Sequence, residues 1–279
     1  IPLKKKRLSI LKKDKKFIFK DLDIVNKKKL ELYFDSINID VIVNLAAQAG
    51  VRYSLENPTK YIDVNVLGFI NLLKVAKKNK IKKFLYASSS SVYGESTNFP
   101  LKEKEKLNPK NIYAISKKLN EELAEMHQQI CNIKFIGLRF FTIFGEWGRP
   151  DMFMLKLFKA HLTNDVFYLN NYGNHLRDFT YVGDAVESVE KLIKKKFNKH
   201  EVFNICSNNP INIYDVVKNF KKKFNLKIKL VEMHKADILK THGCNKKLEK
   251  FIKKLNYSDF YKKLYQTFDW YKKNKIHKL

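Results

Sequence analysis

The chain predicts an α/β fold, a doubly wound parallel sheet followed by a smaller C-terminal lobe. Three observations predict it. Short apolar runs alternate with helical patterns through the first half, which means parallel strands covered by helices on both faces. The blocks Ala46–Gly50, Ser88–Ser91 and Arg139–Thr142 each directly follow one of those runs, and ligands of such sheets gather at the carboxyl ends of the strands. Beyond about residue 145 the elements shorten, and Gly, Asn and Pro cluster at Gly145–Pro150, Asn170–Asn174 and Ser207–Pro210.

Element by element, Phe17–Leu22 reads as a strand and Lys27–Asp35 as a helix. Val41–Leu45 is a continuous apolar run bounded by turn signals, the pattern of a buried parallel strand. Tyr61–Lys78 is expected to be helical, with Val64, Leu67, Ile70, Leu73 and Val75 near helical period. Phe84–Ala87 is the next strand, Ile112–Ile130 the next helix and Lys134–Leu138 the strand after it. Residues 1–145 then form the main domain and 146–279 mainly a lobe, with Arg177–Val182 and Phe203–Cys206 as the segments that would return to the main sheet. The tail, Tyr257–Lys275, reads as an amphipathic helix that packs on the protein, since Asp259 and Asp269 interrupt its basic face.

A chain of 279 residues, 44% of them hydrophobic, buries a substantial core. The net charge of +28 invites a nucleic-acid reading, but the basic residues are 51 Lys and 5 Arg. Base and phosphate readers lean on the planar guanidinium fork, and here lysine covers every predicted helix face. No apolar run approaches a membrane span, and no signal-peptide pattern is evident. Cys131, Cys206 and Cys244 are dispersed without metal spacing, which suits reduced thiols in a cytoplasm. His127, His161, His175, His234 and His242 also lack metal-ligand spacing and default to the surface.

The scarcity of arginine is informative. Arg52, Arg139, Arg149 and Arg177 all lie in motif-like blocks. Bidentate recognition of phosphate or carboxylate is one reason to keep Arg where Lys is the default. A buried ion pair is the other, and it is assigned to Arg139, which follows a strand. Trp147 reads equally as a lid aromatic or a packing anchor.

Tyr113 and Lys117 stand four residues apart, on one face of the predicted helix, with four serines, Ser88 to Ser91, upstream. An ammonium beside a phenol favours the phenolate and lowers its pKa from about 10. Such a tyrosine can move a proton to or from a sugar or alcohol hydroxyl, and a nearby serine can orient that hydroxyl.

The blocks Asn44–Pro58, Tyr86–Gly94, Tyr113–Lys117, Leu138–Met152 and Arg177–Val182, in this order, carry a resemblance over most of the chain to the extended short-chain dehydrogenase/reductase family, closest to its UDP-glucuronate 4-epimerases. The resemblance implies a Rossmann-like sheet, NAD as cofactor and a UDP-sugar substrate. By matching positions it implies Asp21 and Leu22 beside the adenine, Ala46, Ala47, Asn65 and Phe140 along the cofactor, and Tyr113 and Lys117 on the nicotinamide ribose. It implies Tyr113, Lys117 and Ser89 as the catalytic set. Ser90, Ser91 and Thr142 would serve the sugar carboxylate, Arg177 the diphosphate and Arg149 the closure over substrate. Arg52 would assist or be structural. Related 4,6-dehydratases place Asp-Glu where this chain has Ser90 and Ser91, which argues against water elimination. Gly183 stands where relatives often carry Asp, which puts the local turn in question. A homodimer through helices 61–78 and 112–130 is implied as well.

The family's sheet begins with a strand, a glycine-rich loop and a helix that hold the NAD pyrophosphate. The nine glycines here form no such loop, so the sequence is expected to be a fragment without its first β-α-β unit rather than a natural deletion. Two other readings compete with the epimerase: an inactive or incomplete sugar-nucleotide-binding relative, and a basic nucleic-acid binder.

Overall fold

The protein is described by a computed structural model over residues 2–234 and 237–278. In chain order its strands are β1 Val41–Asn44, β2 Lys83–Ser89, β3 Lys134–Phe140, β4 Thr142–Phe144, β5 Val166–Asn170, β6 Leu176–Tyr181, β7 Glu201–Ile205, β8 Pro210–Asn212 and β9 Lys227–Val231. The main sheet has the order β1-β2-β3-β7, and every pair in it is parallel.

The central strands are apolar at successive positions because both faces are covered. Side chains alternate between those faces. Phe84, Tyr86 and Phe135 join Phe69 and Leu73 of the helix Gly68–Lys78 in one core. Leu85, Ile136 and Leu138 join Ala185 and Leu192 of the helix Val182–Lys194, and Leu248 of the helix Lys246–Ile252, in another. The helices Lys27–Asp35 and Ile112–Ile130 begin at asparagine caps: Asn26 and Asn111 accept from the amides of Lys29 and Ala114.

The lobe has its own core. Phe158 of the helix Phe153–Thr163, Phe220 of the helix Ile213–Lys223 and Phe268 of the helix Phe260–Lys273 meet at its centre. A sheet of order β4-β6-β8 and a parallel pair β5-β9 flank it. The tail helix therefore packs on the protein. So does the opening helix Pro2–Leu11, whose Leu3 is buried in this same core.

Four expectations need correction. Phe17–Leu22 forms no strand: Ile18 is 82% exposed, and among the described residues nothing pairs with the outer edge of β1. A strand is defined by its ladder, and this segment has none. For the same reason β1 is an edge strand rather than a buried one, with Val43 exposed and Leu45, just beyond it, 59% exposed. Of the two segments expected in the main sheet, β7 pairs there, while β6 pairs with β4 and β8. The stretch 61–78 is helical but interrupted, with a π-helical segment Ile62–Leu67 between Pro58–Tyr61 and Gly68–Lys78.

Candidate active site

Tyr113 lies in the first turn of the helix Ile112–Ile130, at the carboxyl end of β2. The side chain of Ser89, the last residue of β2, favours the Tyr113 phenolate. Ser89 Oγ also accepts the Ser91 amide at 3.1 Å and caps the 3-10 turn Ser90–Tyr93, which sets the serine pair at the mouth of the sheet. The Tyr113 ring meets Tyr61 edge-on at 6.1 Å, and the Tyr61 hydroxyl donates to the Gly50 carbonyl at 2.6 Å.

Burial raises the Tyr113 pKa, opposed by the Ser89 side chain and the Arg149 guanidinium. This corrects the expectation that Lys117 makes the phenolate. Lys117 is 3% exposed, and its ammonium donates to the Ala87 carbonyl at 2.8 Å. Burial lowers its pKa from 10.5 to about 8. The cation that acts on Tyr113 is Arg149. A folded-state pKa below the unfolded one means that the unfolded chain holds more protons between the two values, so stability rises with pH there. Melting of the wild type and Lys117→Met, compared from pH 7 to pH 10.5, is expected to show the wild type gaining relative to the variant only above pH about 8. A constant difference would mean that Lys117 titrates normally.

Arg149 rides on the loop Gly145–Pro150. Gly145 has φ 140°, and a Cβ there would fall 2.4 Å from Val182. Trp147 has φ 61°, a conformation that costs a residue with a side chain about 1–3 kcal/mol. Its indole packs edge-on against Trp270 at 4.8 Å, which makes it a packing anchor. Arg149 Nε donates to Asp151 Oδ1 at 3.0 Å, and its Nη2 pairs with the other carboxylate oxygen.

Arg139 is the buried ion pair that the sequence suggested. It grips Glu121 through Nε and Nη2, at 2.9 and 2.7 Å. Glu121 also accepts from Ser88 at 2.5 Å, so the pair braces the serine strand from beneath. Arg177 is different: among the described residues its donors meet only the carbonyls of Leu176, Ile238 and Leu239. Burial lowers its pKa to about 10, with Asp237 acting against that shift. A guanidinium neutralised by no directly bonded carboxylate suits an anionic ligand. Arg52 instead pairs with Asp237 at 2.9 Å. His175 is not at the surface: it is 5% exposed, with Nε2 unpartnered among the described residues, beside Arg177, Asp237 and Arg52. Among the described residues no cluster of His, Cys, Asp or Glu could hold a metal ion.

The structure does not use the other expected positions equally. Asn65, in the π-helical segment, is buried and committed: it exchanges hydrogen bonds with the Gln48 backbone and donates to Ser116 at 3.0 Å. Its position ties the Ala46–Gly50 loop to the helix of Tyr113. Ala46 is exposed and Ala47 half-buried, just beyond β1. Asp21 is exposed and Leu22 half-buried in irregular chain. Ser90, Ser91 and Thr142 are half-buried around the site. Phe140 lines an apolar cleft of about 460 Å³ with Leu45, Ala87, Ile143 and Val182. Gly183 falls in the first turn of the helix Val182–Lys194, where the neighbouring Asp184 holds Ser258.

The profile of the NAD dependent epimerase/dehydratase family matches residues 3–206. The chain belongs to that family. NAD is accordingly its cofactor, and its enzyme class is that of an NAD-dependent epimerase. This epimerase-family chain is 38% identical over 260 residues to protein CapI of Staphylococcus aureus, covering 84% of this chain and 78% of the relative. It is 36% identical over 261 residues to UDP-glucuronate 4-epimerase 4 of Arabidopsis thaliana, covering 86% of this chain and 60% of that one. Among solved structures, UDP-glucuronic acid 4-epimerase from Bacillus cereus, in complex with UDP-glucuronic acid and NAD, superimposes with a TM-score of 0.90 at 27% identity. That match covers 98% of this chain and 87% of the other.

The residues present fit one end of NAD. The cleft beside Ala87 and Phe140 adjoins the buried Lys117, and small residues follow β1. No glycine loop for the pyrophosphate occurs in this sequence. Among the described residues no helix of the epimerase-family chain is long and apolar enough to cross a membrane. Sequence reasoning missed Tyr61, Glu121, Asp237 and Arg7. None stands in a distinctive local pattern, and Arg7 closes a basic run that begins at Lys4.

Proposed function

We propose that the protein inverts C4 of a UDP-linked hexuronic acid, converting UDP-glucuronate to UDP-galacturonate. The observation that carries this reading is Tyr113, whose phenolate Ser89 and Arg149 favour, at the end of β2 beside Ser90 and Ser91 rather than a carboxylate pair. Tyr113 takes the proton of the 4-hydroxyl and later returns it, with Ser89 orienting that hydroxyl. Bound NAD supplies the hydride acceptor and donor at C4. Lys117, held by the Ala87 carbonyl, is positioned to serve the ribose of the cofactor. Arg177 holds the diphosphate, with Arg52 released from Asp237 to assist. Ser90, Ser91 and Thr142 take the sugar carboxylate, and Arg149 closes over it. Residues 1–145 then carry mainly the cofactor and 146–279 mainly the substrate. The exposed Leu67, Ile115 and Met126 support a homodimer through helices 61–78 and 112–130.

The test is incubation with NAD and UDP-glucuronate, with the products resolved. UDP-galacturonate is expected; turnover of a neutral UDP-hexose alone rejects the acid substrate. Arg177→Ala is expected to raise KM by about 10- to 100-fold with kcat little changed, because it removes a charged donor used equally in ground and transition states.

A further inference from the structure

Four arginines stand in recognisable blocks, and the fifth does not. Arg7 lies in the helix Pro2–Leu11, far from the sheet's carboxyl ends in sequence but not in space. Its Nη2 donates to the carbonyls of Trp147 and Gly148, the latter at 3.1 Å. Its Nε is buried and meets no acceptor among the described residues. The helix is fixed independently of this contact. Leu3 is buried in the lobe core, and Lys6 Nζ donates to the Asn274 carbonyl at 2.9 Å. That carbonyl caps the helix Phe260–Lys273, where the helix dipole favours a cation.

Arg7 thus reaches from an anchored helix into the turn that carries Arg149. The turn is short, closed by the Gly148 amide on the Gly145 carbonyl at 3.3 Å, and Gly145 and Trp147 both have positive φ. The Trp147 indole is pinned separately by Trp270. What remains to be set is the direction of the two peptide planes just before Arg149, and Arg7 holds both carbonyls. We propose that Arg7 is a positioning residue for substrate: it orients the Gly145–Pro150 turn so that Arg149 faces Tyr113 and the sugar carboxylate. The step from turn to substrate rests on the reading of Arg149 given above.

The chain contains two tryptophans, Trp147 and Trp270, and they touch, so its intrinsic fluorescence and near-UV circular dichroism report on this turn. The experiment compares wild type, Arg7→Ala, Arg7→Lys, Arg149→Ala and the Arg7→Ala/Arg149→Ala double variant, each titrated with UDP and with UDP-glucuronate. Arg7→Ala is expected to change the tryptophan signal at unchanged far-UV dichroism. It is expected to weaken UDP-glucuronate by about tenfold relative to UDP, and the double variant to be no weaker than Arg149→Ala alone. Arg7→Lys keeps the charge on a different stem and is expected to recover part of both effects. An unchanged tryptophan signal in Arg7→Ala overturns the inference. So does equal weakening of UDP and UDP-glucuronate, or full additivity with Arg149→Ala. If the wild type itself fails to distinguish UDP-glucuronate from UDP, the acid-substrate reading fails, and the tryptophan signal alone still decides whether Arg7 sets the turn.

Discussion

Tyr113→Phe is expected to lower epimerisation turnover by about 10²- to 10⁴-fold while leaving UDP-sugar affinity nearly unchanged. Phenylalanine preserves the edge-on packing against Tyr61 and removes only the hydroxyl whose ionisation Ser89 favours. The loss should therefore appear in kcat and kcat/KM together, as for a group used in the transition state. Burial raises the Tyr113 pKa in the ligand-free chain, so the phenol is protonated at neutral pH and the phenolate grows as pH rises. The alkaline-rising limb of kcat/KM is expected to move further up in pH in Arg149→Ala, because that guanidinium favours the phenolate. A Phe variant that keeps more than about a tenth of wild-type turnover removes Tyr113 from proton transfer. An unshifted limb in Arg149→Ala removes Arg149 as its electrostatic partner.

The largest effect on stability is expected from Glu121→Leu, which leaves Arg139 buried without its carboxylate. Arg139 and Glu121 are 4% and 6% exposed, and they meet through two parallel hydrogen bonds. Breaking a buried pair from one side costs about 3–5 kcal/mol, whereas replacing both members with apolar residues is often nearly neutral. Glu121→Leu/Arg139→Met is therefore expected to recover most of the stability lost in the single variant, as read by denaturant unfolding. The two variants should also differ in activity less than in stability, since Ser88 loses its acceptor in both. A single variant within about 1 kcal/mol of wild type shows that the pair is not the brace of the serine strand.

Where the sequence was legible, the signal was local. The helices Lys27–Asp35 and Ile112–Ile130 have the boundaries read from the sequence because asparagine caps mark their starts. The central strands were readable because burial on both faces leaves a continuous apolar run. Failures came where the determining partner is remote. Phe17–Leu22 has strand composition but no neighbouring ladder. Lys117 has the right spacing from Tyr113, yet the carbonyl that takes its ammonium belongs to β2. His175 looked like any surface histidine because its surroundings are assembled from three separate segments, those of Arg52, Arg177 and Asp237. Arg7 was hidden by its lysine neighbours, and only the fold shows which of those cations faces inward.

The docking of the opening helix also orders events in time. Lys6 bonds a carbonyl 268 residues further along, so at ribosomal speeds of about 5–20 residues per second its partner emerges roughly ten to fifty seconds later. Throughout that interval Leu3 has no finished core to enter, and until Trp147 and Gly148 emerge Arg7 has no turn to hold. This helix is thus among the last described elements to find its place. A nascent chain can complete its central sheet well before the turn bearing Arg149 receives its support.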